Sequence, residues 1–430
     1  MRVAVFGLWH LGVVTAACLA EAGVPTLGLD PDTGVVAALA AGRAPLLEAG
    51  LEPALAAGLA SGTLRFSADP AAVAEADLVW VTFDTPVDAA DQADHGAVLD
   101  AVAGLFPQLR DGMVVLVSSQ LPVGSVARLE AGFAAVAAGR RVGFACSPEN
   151  LRLGQAMASF RQPGRIVIGT RQPWVREVLA PLLGRFCAEL TWVSVESAEL
   201  AKHALNAFLA TSVTFMNEVA QLCERVCADA AEVEAALRSE PRIGRQAYIR
   251  PGAGFAGGTL ARDVRFLEAA GRAQGLELPL LGAIMPSNIR HLNWPMAQLQ
   301  RRLGSLAGRC IAVLGLAYKP GTSTLRRSAA LALCQALAQA GALVRVHDPG
   351  AAALPPEAAA GLLRTSTASA ALAGAEAAVL ATAWPEYREL EPDAVLAAMA
   401  RPLLLDADRL LAGRFAADPR FHYVTVGSPA

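Results

Sequence analysis

The same pattern occurs near both ends of the chain: an apolar strand, a glycine turn, an apolar helix and a second strand that stops at an aspartate. Val3-Ala-Val-Phe6 leads into Gly7, a helical run over about Val13 to Ala22, and Thr26-Leu-Gly-Leu29, closing on Asp30. Cys310-Ile-Ala-Val-Leu314 leads into Gly315, a loop, a helix from about Ser328 to Ala340, and Leu343-Val-Arg-Val346, closing on Asp348. A strand, a helix and a second strand in that order form a right-handed crossover, the unit of a doubly wound parallel sheet. Further strand-like runs after the first pattern, Leu78 to Thr82, Met113 to Val117, Val142 to Ala145 and Arg165 to Ile168, alternate with Ala-rich helical stretches and extend one parallel sheet.

Between the two patterns, apolar residues from Glu196 to about Arg238 recur at helical spacing with no strand, predicting a long helix or a helix pair. Helical character resumes from about Asp263 to Gln300. The reading is an α/β chain with two Rossmann-like doubly wound parallel-sheet domains joined by a central helical domain with a long helix. At roughly 150 residues per domain, 430 residues suit three: 1–195, 196–296 and 297–430.

Composition narrows the function. With 36 Lys and Arg against 39 Asp and Glu, nothing draws the chain to nucleic acid or an acidic membrane. Although 54% of residues are hydrophobic, charged residues, Gly or Pro break each apolar stretch before ~18 residues, so no membrane span is expected. The opening MRVAVFGLWHLG lacks the regions of a signal peptide, and the expected compartment is the cytoplasm. The 7 cysteines read as buried thiols; Cys223 and Cys227 could share a metal, but core packing is the plainer reading, and no metal is expected.

Gly7-Leu-Trp-His-Leu-Gly12 and Asp30 have the position and spacing of a dinucleotide-binding turn. Such a turn aims a helix N-terminus at a pyrophosphate, and an acid that accepts ribose hydroxyls favours NAD over NADP. Trp9 stands where the second glycine is usual, which leaves open a plain turn that binds nothing. Glu149, after the Val142 strand, falls at the carboxyl edge of the sheet, or serves only as a helix N-terminal acid. Lys202 and Asn206 share a helical face and can offer an ammonium and an amide to one oxygen, or face water. Glycines from Arg250 to Gly258 are too dense for a helix or strand and suggest a loop pressed against a ligand. The segment Gly315 to Ser328, with its basic and hydroxylic residues, suits a phosphate-bearing ligand or a polar surface loop.

Further segments accompany these: Glu48-Ala-Gly-Leu51, Thr85-Pro86, Leu121-Pro-Val-Gly124, Ser147-Pro-Glu-Asn-Leu-Arg152, Ala198-Glu199, Arg242-Ile-Gly244, Arg262-Asp263, Leu314-Gly-Leu-Ala-Tyr-Lys-Pro320 and Thr382-Ala-Trp-Pro-Glu386. In order, they resemble the UDP-glucose/GDP-mannose dehydrogenase family over essentially the whole chain. The resemblance implies oxidation of the C6 alcohol of a nucleotide sugar, UDP-glucose first, to a carboxylate by two NAD, through an aldehyde and a thioester, in polysaccharide biosynthesis. It implies a homodimer formed by the helical middle and a C-terminal domain that holds the nucleotide. Gly7, Gly12, Asp30, Thr85, Gln120 and Arg326 would then meet NAD. Leu151, Arg152, Phe255, Gly257 and Lys319 would meet the substrate, and Arg242 the sugar of the partner subunit. Lys202 and Asn206 would bind the sugar and stabilise the alkoxide, Asp263 would order a water, and Glu149 would act in thioester hydrolysis.

The sequence departs from the family pattern at Thr259, where the resemblance places the nucleophilic cysteine, and also at Trp9, Gln120, Asn150 and Leu153. A Thr hydroxyl is a poor nucleophile without an activating base. Three readings follow: an enzyme that still makes the acid, an enzyme that stops at the aldehyde, and a non-catalytic nucleotide-sugar or NAD-binding regulatory protein. Cys146 is a substitute thiol in the first, against its plainer reading as a core residue.

Overall fold

The computed structural model describes residues 1–46, 48–85, 94–137, 139–148, 151, 154–256, 258–351, 354 and 359–429. The chain divides into two compact units, Met1–Ala204 and Leu205–Ala430.

The first unit is built on strands β1 (Val3–Phe6), β2 (Thr26–Leu29), β3 (Leu64–Ser67), β4 (Leu78–Val81), β5 (Val114–Val117), β6 (Gly143–Cys146), β7 (Ile166–Thr170) and β8 (Leu190–Val193), in the order β3-β2-β1-β4-β5-β6-β7-β8. Helices α1 (His10–Glu21), α2 (Thr33–Ala40), α3 (Leu51–Ser61), α4 (His95–Gly104), α5 (Ser125–Val136), α6 (Ala156–Arg161) and α7 (Pro173–Leu183) are interleaved with the strands. On β1, Val3 and Val5 join one apolar cluster and Ala4 and Phe6 another, so both faces of the strand are covered. That is why these strands read as unbroken apolar runs and not as alternations. One expectation needs correction: β7 pairs antiparallel with β6, Ala145 opposite Thr170, so the sheet is parallel elsewhere but not at this step. The strands β3 and β8 escaped the pattern reading because each is exposed or half-buried at most of its positions and lies at a sheet edge.

The long helical stretch is a helix pair, α8 (Val195–Val226), which begins in the first unit and continues into the second, and α9 (Ala230–Ser239). In the second unit α10 (Thr259–Ala273), α11 (Pro279–Leu292) and α12 (Trp294–Leu303) follow. Its sheet holds β9 (Cys310–Leu314), β10 (Leu343–His347), β11 (Leu362–Arg364), β12 (Ala377–Leu380), β13 (Leu403–Asp406) and β14 (His422–Val424), with α13 (Ala329–Gln339) crossing from β9 to β10. The order is β11-β10-β9-β12-β13-β14, all parallel. No helix among the described residues is long and apolar enough to cross a membrane. Two cysteines depart from the expected burial: Cys227 is exposed and Cys310 half-buried.

The two sheets share one local device. Gly7 and Gly315 follow β1 and β9 with φ of +98° and +92°. A Cβ on Gly315 would lie 2.5 Å from Thr382, and one on Gly7 2.7 Å from the Phe83 ring. Packing is tighter still at Gly12, where a Cβ would stand 1.8 Å from the Gly7 carbonyl oxygen. Gly12→Ala therefore has no room, and it is expected to lower stability by about 2 kcal/mol or more. Urea denaturation of the variant beside the parent chain checks this.

Candidate active site

The glycine turn after β1 is fastened from both sides. Thr82 Oγ1 donates to the carbonyls of Gly7 (2.8 Å) and Phe6 (3.1 Å), and the Gly7 N–H donates to Leu29 O (2.9 Å). Asp30, nearly buried at the end of β2, accepts the Leu8 N–H at 2.7 Å and the Asp32 N–H at 2.9 Å. Trp9 occupies the N-cap of α1 at φ −93°, a conformation open to any residue, and its side chain is half exposed. The turn thus keeps its shape without a glycine at that position. No side chain caps α1, so the N-terminal dipole is left for a ligand. These residues fit a dinucleotide: an uncapped helix start and an oriented carboxylate at the end of β2, one strand from the sheet's switch point.

The loop after β5 carries the next group. Thr85 Oγ1 donates to the Gln120 carbonyl (2.7 Å), which brings together two residues expected at the cofactor. Glu199, near the start of α8, accepts the N–H groups of Gly124 (2.7 Å) and Val126 (2.9 Å), and so caps α5. Burial pushes the Glu199 carboxyl up, against the pull of those two donors. His203, one turn on, meets Gln120 Nε2 through Nδ1 (3.4 Å) and the Leu121 carbonyl through Nε2 (3.3 Å). Lys202 lies at the wall of a cavity of about 20 Å³ that Gln120, Cys146 and Pro148 also line, room for a water-sized group. Burial, then the charge of Glu199, raises the Cys146 thiol far above its ordinary range. It is un-ionised at neutral pH, which favours packing over nucleophilic work.

In the second unit Asn206 donates through Nδ2 to Asp263 Oδ2, and the Arg262 Nε lies 3.5 Å from the other carboxylate oxygen. Asp263 has no exposed surface. Thr259 is the first residue of α10, exposed, one helical turn before Asp263.

The glycine loop is packed against its own unit at two positions. A Cβ on Gly252 would come 2.4 Å from Asp408, and one on Gly254 2.9 Å from Asn288, so at these two positions the close approach is to the protein's own side chains. The backbone is held residue by residue. Asn217 accepts the Gly252 N–H (3.0 Å) and Asp408 the Ala253 N–H (2.8 Å). Asn288 accepts the Phe255 N–H (3.0 Å) and donates to the Phe255 carbonyl (2.7 Å), as a neighbouring strand would. His291 donates from Nε2 to the Gly252 carbonyl (2.8 Å) and takes the Gln221 amide at Nδ1 (3.2 Å). Phe255 packs against the cluster of Ala207, Ala210, Val264 and Ile284.

Other expected residues are placed apart. Arg242 is exposed and pairs with Glu240 at 2.8 Å. Leu151 is half-buried against the core of the first unit. Lys319 is half-buried with its Nζ 5.8 Å from the Tyr318 ring centre, and Arg326 is exposed. It is Arg327, at φ +60°, whose guanidinium lies beside Gly258. Glu149, Arg152 and Gly257 lie outside the described residues, as do Pro86, Asn150 and Leu153. Sequence reasoning passed over Asn217, Asn288, His291 and Asp408, because each acts on a backbone group distant in sequence and leaves no local signal.

Fold and turn together define a dinucleotide-dependent oxidoreductase. Three profiles of one family match: the NAD binding domain over residues 1–186, the central domain over 196–290 and the UDP binding domain over 312–413. The chain is 36% identical to UDP-glucose 6-dehydrogenase of Pseudomonas aeruginosa, covering 100% of this chain and 98% of that one. It is 31% identical to UDP-glucose 6-dehydrogenase TuaD of Bacillus subtilis, covering 100% and 94%. A solved structure of a UDP-glucose dehydrogenase from Pyrobaculum islandicum superposes with a TM-score of 0.85 at 32% identity, covering 100% and 98%. The chain belongs to the UDP-glucose/GDP-mannose dehydrogenase family.

Burial lowers the His291 imidazole from its ordinary value, more than the Gly252 carbonyl and the charges of Glu224 and Asp408 raise it. The unfolded chain protonates His291 near pH 6.5 while the folded chain resists, so this contribution to stability is present above that pH and is lost as pH falls below it. Urea denaturation between pH 7 and 5 is expected to show the loss, with a shallower slope in His291→Gln. Asn288→Ala is expected to cost about 1–3 kcal/mol and to raise KM for the sugar nucleotide while KM for NAD stays level; steady-state kinetics read both.

Proposed function

We propose that this protein oxidises the C6 alcohol of a UDP-hexose, UDP-glucose foremost, with NAD as the acceptor. The observation that carries the reading is the turn from Gly7 to Gly12 with Asp30, whose uncapped helix start and oriented carboxylate fit a dinucleotide. Similarity to UDP-glucose 6-dehydrogenases over the whole chain supports the substrate.

Asp30 accepts the ribose hydroxyls, the first turn of α1 faces the pyrophosphate, and Thr85 with Gln120 closes the nicotinamide end. NAD, when bound, supplies the redox step by taking the hydride from C6. Hydride leaves as negative charge grows on the C6 oxygen, and the Lys202 ammonium and the Asn206 amide, one helical turn apart, stabilise that charge without reorganisation. Asn206 has a second amide hydrogen for this, since one already goes to Asp263. Asp263, through a water, carries the alcohol proton away. Glu149, Leu151, Arg152, Phe255 and Gly257 serve the sugar side, and Glu149 is the base for hydrolysis wherever a thioester forms, as in Thr259→Cys. Lys319 and Arg326 serve the nucleotide and cofactor. The functional division is 1–195 for NAD, 196–296 for the sugar and the dimer contact, and 297–430 for the nucleotide, in a cytoplasmic enzyme that supplies polysaccharide synthesis.

Thr259 favours a narrower reading. An exposed hydroxyl at the start of α10 is not ionised at neutral pH, so a thioester has no counterpart there and the aldehyde is the product. Incubation with NAD and UDP-glucose is expected to yield NADH, with one NADH per sugar consumed and an aldehyde by mass. Thr259→Cys raises that ratio towards two. A ratio of two in the parent chain overturns the narrower reading alone; no NADH overturns both.

A homodimer through α8 completes the proposal. Phe208, Phe215 and Leu222, 68%, 53% and 60% exposed, recur every seventh residue and form an apolar stripe suited to a second copy. Arg242, exposed in one protomer, then reaches the sugar of its partner. Light scattering is expected to find a dimer in the parent chain and a monomer with reduced activity in Phe215→Glu.

A further inference from the structure

Ser118 and Ser119 follow β5 side by side, and both are buried. Ser118 Oγ accepts the Trp80 indole N–H at 2.9 Å and donates to the Ser147 carbonyl at 2.6 Å. Ser119 is 5% exposed, and its buried Oγ meets no partner among the described residues. A buried hydroxyl left in that state costs more than a formed hydrogen bond gains. Ser119 lines the cavity of about 20 Å³ at Lys202, and Glu199 lines it too, among the apolar walls of Val117, Leu121 and Cys146. Such a volume admits one water, and a buried water takes about three polar partners. The partners are at hand. Each Glu199 oxygen accepts one backbone N–H and has a second lone pair to offer, and the Lys202 ammonium carries three donors.

We propose that this cavity holds one water, bound by Ser119, Glu199 and Lys202, and that Ser119 is through it a positioning residue for the Lys202 ammonium. This rests on the functional reading above, which puts Lys202 at the C6 oxygen. A lysine stem is long and flexible, and an ammonium that stabilises a growing negative charge must already point at it. A water on the Ser119 side fixes one of the three N–H donors and so restricts where the other two point. Ser119 is not a catalytic residue, since it reaches the ammonium only through that water.

Ser119→Ala tests both parts. With water in the cavity the variant takes away one of its partners, and the urea midpoint at neutral pH falls; in a dry cavity the same change removes an unsatisfied hydroxyl, and the midpoint rises. A rise overturns the proposal. So does a crystal structure of the parent chain that shows ordered water elsewhere in the interior and none within hydrogen-bond reach of Ser119 Oγ. In steady-state kinetics with NAD and UDP-glucose, kcat of the variant is expected to fall about fivefold, the worth of one hydrogen bond, while each KM stays within about twofold of the parent value. A merely structural loss would raise KM as well. Ser119→Cys, whose thiol is a weak donor and acceptor, is expected to lie between the parent chain and Ser119→Ala in kcat. An unchanged kcat in Ser119→Ala overturns the positioning role even where the water is found. A parent chain that forms no NADH overturns the functional reading and the role in turnover with it, while denaturation and the crystal structure still decide the water.

Discussion

In each sheet a buried aspartate after the second strand, β2 or β10, clamps backbone N–H groups of the turn that follows the neighbouring first strand. Asp30 holds Leu8 and Asp32; Asp348 holds Leu316, Ala317, Gly350 and Ala351, and takes the Trp384 indole N–H as well. Burial acts to raise the Asp348 carboxyl, but the four backbone donors outweigh it and leave it below the usual carboxylate value. Hydrogen bonds to a charged acceptor are among the stronger ones, and several converge here on one group. Gly7 and Gly315, at positive φ, directly precede the Leu8, Leu316 and Ala317 N–H groups in these clamps. Everything at the carboxyl edge of the sheets is placed relative to these clamps.

The same chemistry recurs away from these two turns. Glu199 fixes the start of α5, Glu48 the start of α6, and the side chains of Asn217, Asn288, His291 and Asp408 take up the backbone of the glycine loop. An unpaired peptide group in a dry place costs more than a paired one gains. Loops that must avoid regular structure to meet a ligand therefore need side chains to satisfy them. Each unit accordingly carries buried polar residues whose partners are main-chain atoms.

Much of this was legible in the residues. β1, β2 and β9 fall where apolar runs and glycine turns put them, since strands buried on both faces leave a continuous signal. The dinucleotide turn was legible because Gly7, Gly12 and Asp30 keep a fixed spacing. The antiparallel step at β7 was not, because strand direction depends on the path of the connection and not on side chains. Nor were β3 and β8, whose edge positions remove half the apolar pattern. In the glycine loop, dense glycine announced close approach but not that Asp408 and Asn288 stand beside Gly252 and Gly254.

The sequence by itself determined two doubly wound sheets, a helical middle, the glycine turn after β1 and the placement of Lys202 and Asn206 four apart on one helix. All of these follow from local periodicity or short spacing, which a chain carries wherever it folds. Tertiary structure alone decided that Asn206 meets Asp263, that Asn288 and His291 hold the glycine loop, and that Glu48 serves two turns at once. Those contacts join residues tens of positions apart through single hydrogen bonds, and such bonds are specified by the packing of helices and leave no periodic trace.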